Sequence, residues 1–131
     1  MESTVLSKKK FSSALSRESE DLLLHHLHSF LDNDLEALMN DYTEQSVLVT
    51  RDQTYSGIVE IRQFFSELVK HFPSKSSDFK LEKLEVNDEL AFIVWEARTP
   101  RDVVSLGTDT FVVKKGKIFR QTFAGEMQFL D

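Results

Sequence analysis

Near the end of the chain, Asp109 is followed at short intervals by Phe111, Phe119 and Phe123, with Gln121 between the last two. A carboxyl set among benzyl rings loses its water. Desolvation disfavours the charged form and raises the pKa toward neutrality, where the group can act as a general acid or base. Whether these side chains meet depends on register. Lys114, Lys115 and Gly116 suit a three-residue hairpin loop with Gly116 left-handed, which pairs Val113 with Lys117, Phe111 with Phe119 and Asp109 with Gln121. One strand face then carries Gly107, Asp109, Phe111, Phe119, Gln121 and Phe123, and the other carries Thr108, Thr110, Val112, Ile118, Arg120 and Thr122. The aromatic set is expected on the concave face. A one-residue slip instead puts Asp109 in solvent, and a closed pair with Gln121 makes it a satisfied polar group without chemistry.

His26 stands three residues after Leu23 and four before Phe30, at the edge of an apolar helix face. It is either a core-edge imidazole or a polar partner of Asp109 at the mouth of a cavity. His25 and His28 with Asp21 and Asp32 have the spacing of a surface divalent-ion site, but a solvated helix face accounts for them and no metal site is expected. Trp95 alternates with Ala91, Ile93 and Ala97 and gives a ligand an aromatic wall if that set points inward; otherwise it is core. Tyr42 and Tyr55 have the same two readings. The chain has no cysteine, which removes thiolate nucleophiles, disulfides and cysteine-held metals. Phosphate-loop, nucleophile-elbow and HExxH patterns are absent.

These groups have to be held by elements that the periodicity defines. Residues 1–15 are rich in Ser and Lys without a sustained period and read as a tail, leaving 16–131 as one domain of the 131-residue chain. Ser16 is a candidate N-cap, followed by Glu18, Glu20 and Asp21 at the positive end of a helix whose stripe is Leu23, Leu27, Phe30 and Leu31. After Asp32, Asn33 and Asp34, a second short stripe runs Leu35, Leu38, Met39 and Tyr42. Residues 46–50 and 54–56 read as a small hairpin. Ile58, Ile61, Phe65, Leu68, Val69 and Phe72 then follow the helical period through one long helix stopped by Pro73. Strands follow over 79–86, 90–99, 103–113 and 118–129. Phe79 and Leu81 are out of phase with Leu84 and Val86, as a bulge between them would make them. The order implies α+β, with three helices segregated onto one face of a mostly antiparallel sheet whose curvature leaves a conical cavity.

The formal charge of −6 has the wrong sign for a dedicated nucleic-acid surface, and the densest basic run, Lys8, Lys9 and Lys10, lies in the tail. The longest apolar run, 90–95, is far short of the ~20 residues of a membrane-spanning helix. Residues 1–15 lack the apolar core of a secretory signal. A cytoplasmic protein without nucleic-acid or membrane partners is expected.

The segment Phe30-Leu31-Asp32-Asn33-Asp34-Leu35-Glu36-Ala37-Leu38, the following Asp41-Tyr42-Thr43-Glu44, the helix opening from Gly57-Ile58 to Phe64-Phe65, and Thr108-Asp109-Thr110-Phe111-Val112-Val113 with Gly116-Lys117-Ile118 together resemble the nuclear transport factor 2-like superfamily. The resemblance is to its ketosteroid-isomerase-like and SnoaL-type (polyketide cyclase-like) branches and covers roughly residues 20–128. It implies a cone-shaped, highly curved sheet with three helices, an internal ligand cavity, and a homodimer through the convex sheet face. In the ketosteroid isomerases a first-helix Tyr and a late-strand Asp hydrogen-bond the substrate oxygen, and an Asp near the first hairpin moves the proton. Carried over, the late-strand acid falls on Asp109, the Tyr position on His26 and the proton-moving Asp on Thr50, with Asp52 in the adjacent turn as the nearest carboxylate.

Two functional readings remain. In the first, Asp109 and His26 perform cofactor-free isomerase, cyclase or dehydratase chemistry on a small, largely apolar molecule bound by Trp95, Phe111, Phe119, Gln121, Phe123, Tyr55 and Thr50. In the second, favoured by the missing carboxylate at Thr50, the chain is a non-catalytic ligand-binding or protein-interaction module.

Overall fold

A computed structural model describes residues 13–129. The first helix, α1, spans Ala14–Leu31 and starts two residues before the expected Ser16. The cap is Ser13, whose hydroxyl accepts from the Ser16 backbone N–H at 2.9 Å and so satisfies one of the open donors of the first turn. Of the tail expected over residues 1–15, Ser13 is this cap and Ala14 and Leu15 open α1; residues 1–12 lie outside those described. Asp88, in the turn between the third and fourth strands, draws the hydroxyls of Ser13 and Ser16 onto its carboxylate and that of Ser19 onto its carbonyl. This ties a hairpin tip to the start of α1.

Left-handed Asn33 turns the chain, and its side-chain amide donates to the carbonyls of Phe30 and Phe72. Asp34 then caps α2, Leu35–Met39, by accepting from Ala37 N–H. This helix ends before Tyr42, which is buried just beyond it. Strands β1 (Val47–Thr50) and β2 (Thr54–Ser56) form the expected hairpin. The long helix expected through Phe72 divides into α3, Gly57–Leu68, and a tighter 3₁₀ turn at Val69–His71 ahead of Pro73.

The remaining strands are β3 (Asp78–Asn87), β4 (Leu90–Arg98), β5 (Asp102–Lys114) and β6 (Lys117–Phe129). The six strands form one open sheet in the order β2-β1-β6-β5-β4-β3, antiparallel except for the parallel β1–β6 pair. In β3 the register shifts between Leu81 and Lys83, so that Phe79, Leu81, Leu84 and Val86 all meet inward-facing partners on β4: Ala97, Trp95, Ile93 and Ala91. The helices cover this concave face. Leu23, Leu38, Leu48, Ile61, Phe65, Phe111 and Ile118 fill the space between.

The last hairpin departs from the expected register. Lys115 and Gly116 both have positive φ, 53° and 73°, which makes a two-residue turn whose twist matches its strands. It pairs Lys114 with Lys117 and Val113 with Ile118; a bulge at Phe119 follows, after which Val112 pairs with Arg120, Phe111 with Gln121 and Asp109 with Phe123. Two corrections result. Ile118, expected on the polar face, is fully buried in the core. Phe119 is turned out of the concave face by the bulge, with the Arg120 guanidinium 3.8 Å and the Lys114 ammonium 4.5 Å from its ring centre.

Candidate functional site

β5 carries Asp109 on the concave face with 8 % of its surface exposed. Its two oxygens take separate donors: Trp95 Nε1–H reaches Oδ1 at 2.8 Å, and Gln121 Nε2–H reaches Oδ2 at 2.9 Å. The Gln121 amide is oriented in turn by Tyr42, whose hydroxyl donates to its Oε1. Burial pushes the Asp109 carboxyl up to about 6, against the opposing pull of the Trp95 and Gln121 hydrogen bonds and of His26. Burial, reinforced by the Asp109 and Asp41 carboxylates, pushes the Tyr42 hydroxyl well above its ordinary range and keeps it a donor.

Trp95 is fixed by stacking on Phe79 and Phe123, with ring centres 5.4 and 6.0 Å away. Across from it on β5 is Gly107, which leaves the indole room to lie against the strand. His26, on the buried face of α1, has its ring edge-on to Tyr42, Phe65 and Phe111 at 5.7–5.8 Å. Its Nδ1 stands 3.3 Å from Asp41 Oδ2.

Asp109, His26, Trp95, Phe111, Gln121 and Phe123 line one cavity of about 50 Å3 together with Phe30, Phe64, Leu68 and other apolar side chains. Three expected lining residues lie elsewhere. Phe119 is turned out by the bulge. Tyr55 lies tilted against Phe64, ring centres 5.0 Å apart, and lines an exterior groove with Gln63, Glu67, His71 and Met127. Thr50 closes the first hairpin by donating its hydroxyl to the Gln53 carbonyl at 3.0 Å, and Asp52 is exposed in that turn. The carboxylate that the carry-over sought near β1 is thus not at the cavity.

Asp41 was legible as part of a motif but not as a buried carboxyl between two imidazoles. No spacing rule reaches from α1 to the end of α2. Among the described residues, no group of three or more His, Cys, Asp or Glu side chains forms a metal-holding set, and no helix is long and apolar enough to cross a membrane.

The family profile described as "SnoaL-like domain" matches residues 23–121, from the middle of α1 through Gln121. The chain belongs to the SnoaL-like domain family. No curated protein matches its sequence. Three solved structures share the fold of this SnoaL-like protein. A nuclear transport factor 2-like protein of unknown function from Mesorhizobium loti has a TM-score of 0.73 at 20 % identity, over 87 % of this chain and 95 % of that one. A candidate polyketide cyclase from Sinorhizobium meliloti has a TM-score of 0.65 at 20 % identity, over 79 % and 93 %. A candidate ketosteroid isomerase from Kribbella flavida has a TM-score of 0.71 at 12 % identity, over 88 % and 83 %. At these identities the likeness is one of architecture.

Proposed function

We propose that this SnoaL-like protein holds a small, largely apolar molecule beside Asp109 and His26 and acts on it by cofactor-free acid/base chemistry of the isomerase, cyclase or dehydratase type. The carrying observation is the buried Asp109 carboxyl, poised at about 6 in a cavity that His26 shares. Near neutrality both of its protonation states are accessible, so it can donate to a developing oxyanion or take a proton. The test is the Asp109 pKa by carboxyl-detected NMR, together with a screen of small apolar carbonyl compounds for shifts at Asp109 and Trp95. A value near 3.9, that of a free Asp, removes the acid/base reading.

One observation favours the second reading, a non-catalytic interaction module. Ligand sites usually offer 300–1,000 Å3, whereas about 50 Å3 holds roughly four waters or a few non-hydrogen atoms. An Asp109 of ordinary pKa with no small-molecule shifts would decide for that module.

The proposal includes a cytoplasmic homodimer through the convex face. Among the described residues no helix covers that face, which exposes Val49, Leu90 and Leu106. Light scattering on the purified chain should give twice the 15.2 kDa protomer mass.

A further inference from the structure

Asp41 is 3 % exposed, and an isolated carboxylate so buried costs several kcal/mol unless it is paired. Its partners are two consecutive histidines. His25 Nδ1 lies 3.0 Å from Oδ1 and 3.3 Å from Oδ2, and His26 Nδ1 lies 3.3 Å from Oδ2. Neighbouring helical residues diverge by about 100° around the axis, so their convergence places the carboxylate at the border between the exposed and buried faces of α1. His25 remains about half exposed, with 51 % of its side chain in solvent, while His26 turns into the cavity. Asp41 itself cannot drift: its N–H donates to Leu38 O at 3.0 Å, and its carbonyl accepts from Ile118 N–H at 2.7 Å, fixing it to both α2 and β6.

We infer that Asp41 is a positioning residue that sets His26 as the proton acceptor of the cavity, opposite Asp109 as the proton donor. An imidazole nitrogen facing a carboxylate has to carry a proton, so neutral His26 is the Nδ1–H tautomer and its free lone pair is on Nε2. The edge-on rings of Tyr42, Phe65 and Phe111 oppose a ring flip that would exchange the two nitrogens. The ionisable groups around the pair are His25 on α1, Tyr42 after α2, Asp109 on β5, and Lys117 on β6, whose ammonium donates to the Asn40 carbonyl. Resting on the acid/base reading above, the step is as follows. A substrate C–H bond breaks, and its proton forms the Nε2–H bond of His26. The electron pair stays on the substrate, held at an oxygen by the Asp109 O–H. Asp41 balances the imidazolium, which returns the proton to another substrate atom. The next residue, Tyr42, orients the Gln121 amide that contacts Asp109, so the dipeptide Asp41-Tyr42 supports both sides of the cavity.

The test is the tautomer of His26 in the full chain, read from long-range ¹⁵N–¹H correlations of the imidazole, which needs no substrate. The Nδ1–H form is expected; the Nε2–H form overturns the inference. In Asp41→Ala the Nδ1–H population should fall at least fivefold, and an unchanged population also overturns it. If that variant does not fold, Asp41→Leu fills the same space without an acceptor and is read the same way. These outcomes are separable from the pKa of Asp109: a wrong His26 tautomer with Asp109 near 6 removes only Asp41's role, and the right tautomer with Asp109 near 3.9 removes only the acid/base reading.

Discussion

Trp95 occupies the space where a side chain on Gly107 would stand: a Cβ built there would lie 2.3 Å from indole Cε2. The two residues are cross-strand partners on β4 and β5. The glycine therefore sets where the indole N–H can reach, and it reaches Asp109. Gly107→Ala should push the ring off its stack between Phe79 and Phe123 and break the Trp95–Asp109 hydrogen bond. Overpacking of this kind costs about 1–3 kcal/mol. Urea unfolding measures the loss, and tryptophan fluorescence reports the displaced ring. Unchanged fluorescence with native stability would contradict the packing described.

Asp109 makes stability depend on pH in the direction opposite to a salt-bridged carboxylate. Its folded pKa, about 6, lies above the ordinary 3.8, so the folded state holds the proton more tightly than the unfolded chain. That advantage is complete below about pH 4 and is lost as pH rises through 6, amounting to about 3 kcal/mol. Asp109→Asn should flatten this slope between pH 4 and 7, with Gln121 flipping its amide to accept from the new one. Denaturation at a series of pH values gives both curves, and parallel curves would exclude a raised pKa.

Phe64 and Leu68 line both the internal cavity and the exterior groove that holds Tyr55 and Met127. The wall between them is one side chain thick. Phe64→Ala should join the two spaces and let a benzene-sized probe reach Asp109, at a stability cost of about 2 kcal/mol for a half-buried ring. Probe titration followed at the Trp95 indole signal should show binding at least tenfold tighter than in the unaltered chain. Equal affinity would mean that another route admits the ligand.

Asp102 is fully buried at the start of β5, with Oδ2 3.1 Å from His71 Nδ1 and Oδ1 without a hydrogen-bond partner among the described residues. His71→Ala leaves that carboxylate without its counterpart. Removal of one member of such a pair costs about 3 kcal/mol. The midpoint of chemical unfolding should fall accordingly, and Asp102→Asn in the same background should recover part of the loss. A change under about 0.5 kcal/mol would show that the pair bears little on stability.

The concave face was legible before the hairpin register was. The expected pairing of Asp109 with Gln121 is two positions from the observed pairing with Phe123, and an even displacement leaves alternate side chains on the same face. Asp109, Phe111, Gln121 and Phe123 therefore point inward under either register, whereas Phe119 and Ile118 exchange places because the bulge at Phe119 shifts the alternation between Ile118 and Arg120. The phase change in β3 could be read because four apolar residues broke their alternation together. Thr50 ends the short strand β1 and Tyr55 lies on the edge strand β2; for Thr50 the family position, and for Tyr55 the residue type, gave a place in the chain but not the direction of a side chain. The Asp41 cluster was hidden for a different reason: its two histidines lie on α1 and the carboxylate lies beyond the end of α2, and only the tertiary fold brings them together.

The parallel union of β1 and β6 joins stretches roughly seventy positions apart, a non-local contact of the sort that slows folding. On the ribosome, the helices and first hairpin emerge long before the strand that covers Leu48 and supplies Gln121. Until residues 117–123 arrive, Asp109 is an ordinary hydrated aspartate. Its raised pKa therefore depends on the β5–β6 pairing, the contact that sets Gln121 and Phe123 against the carboxyl.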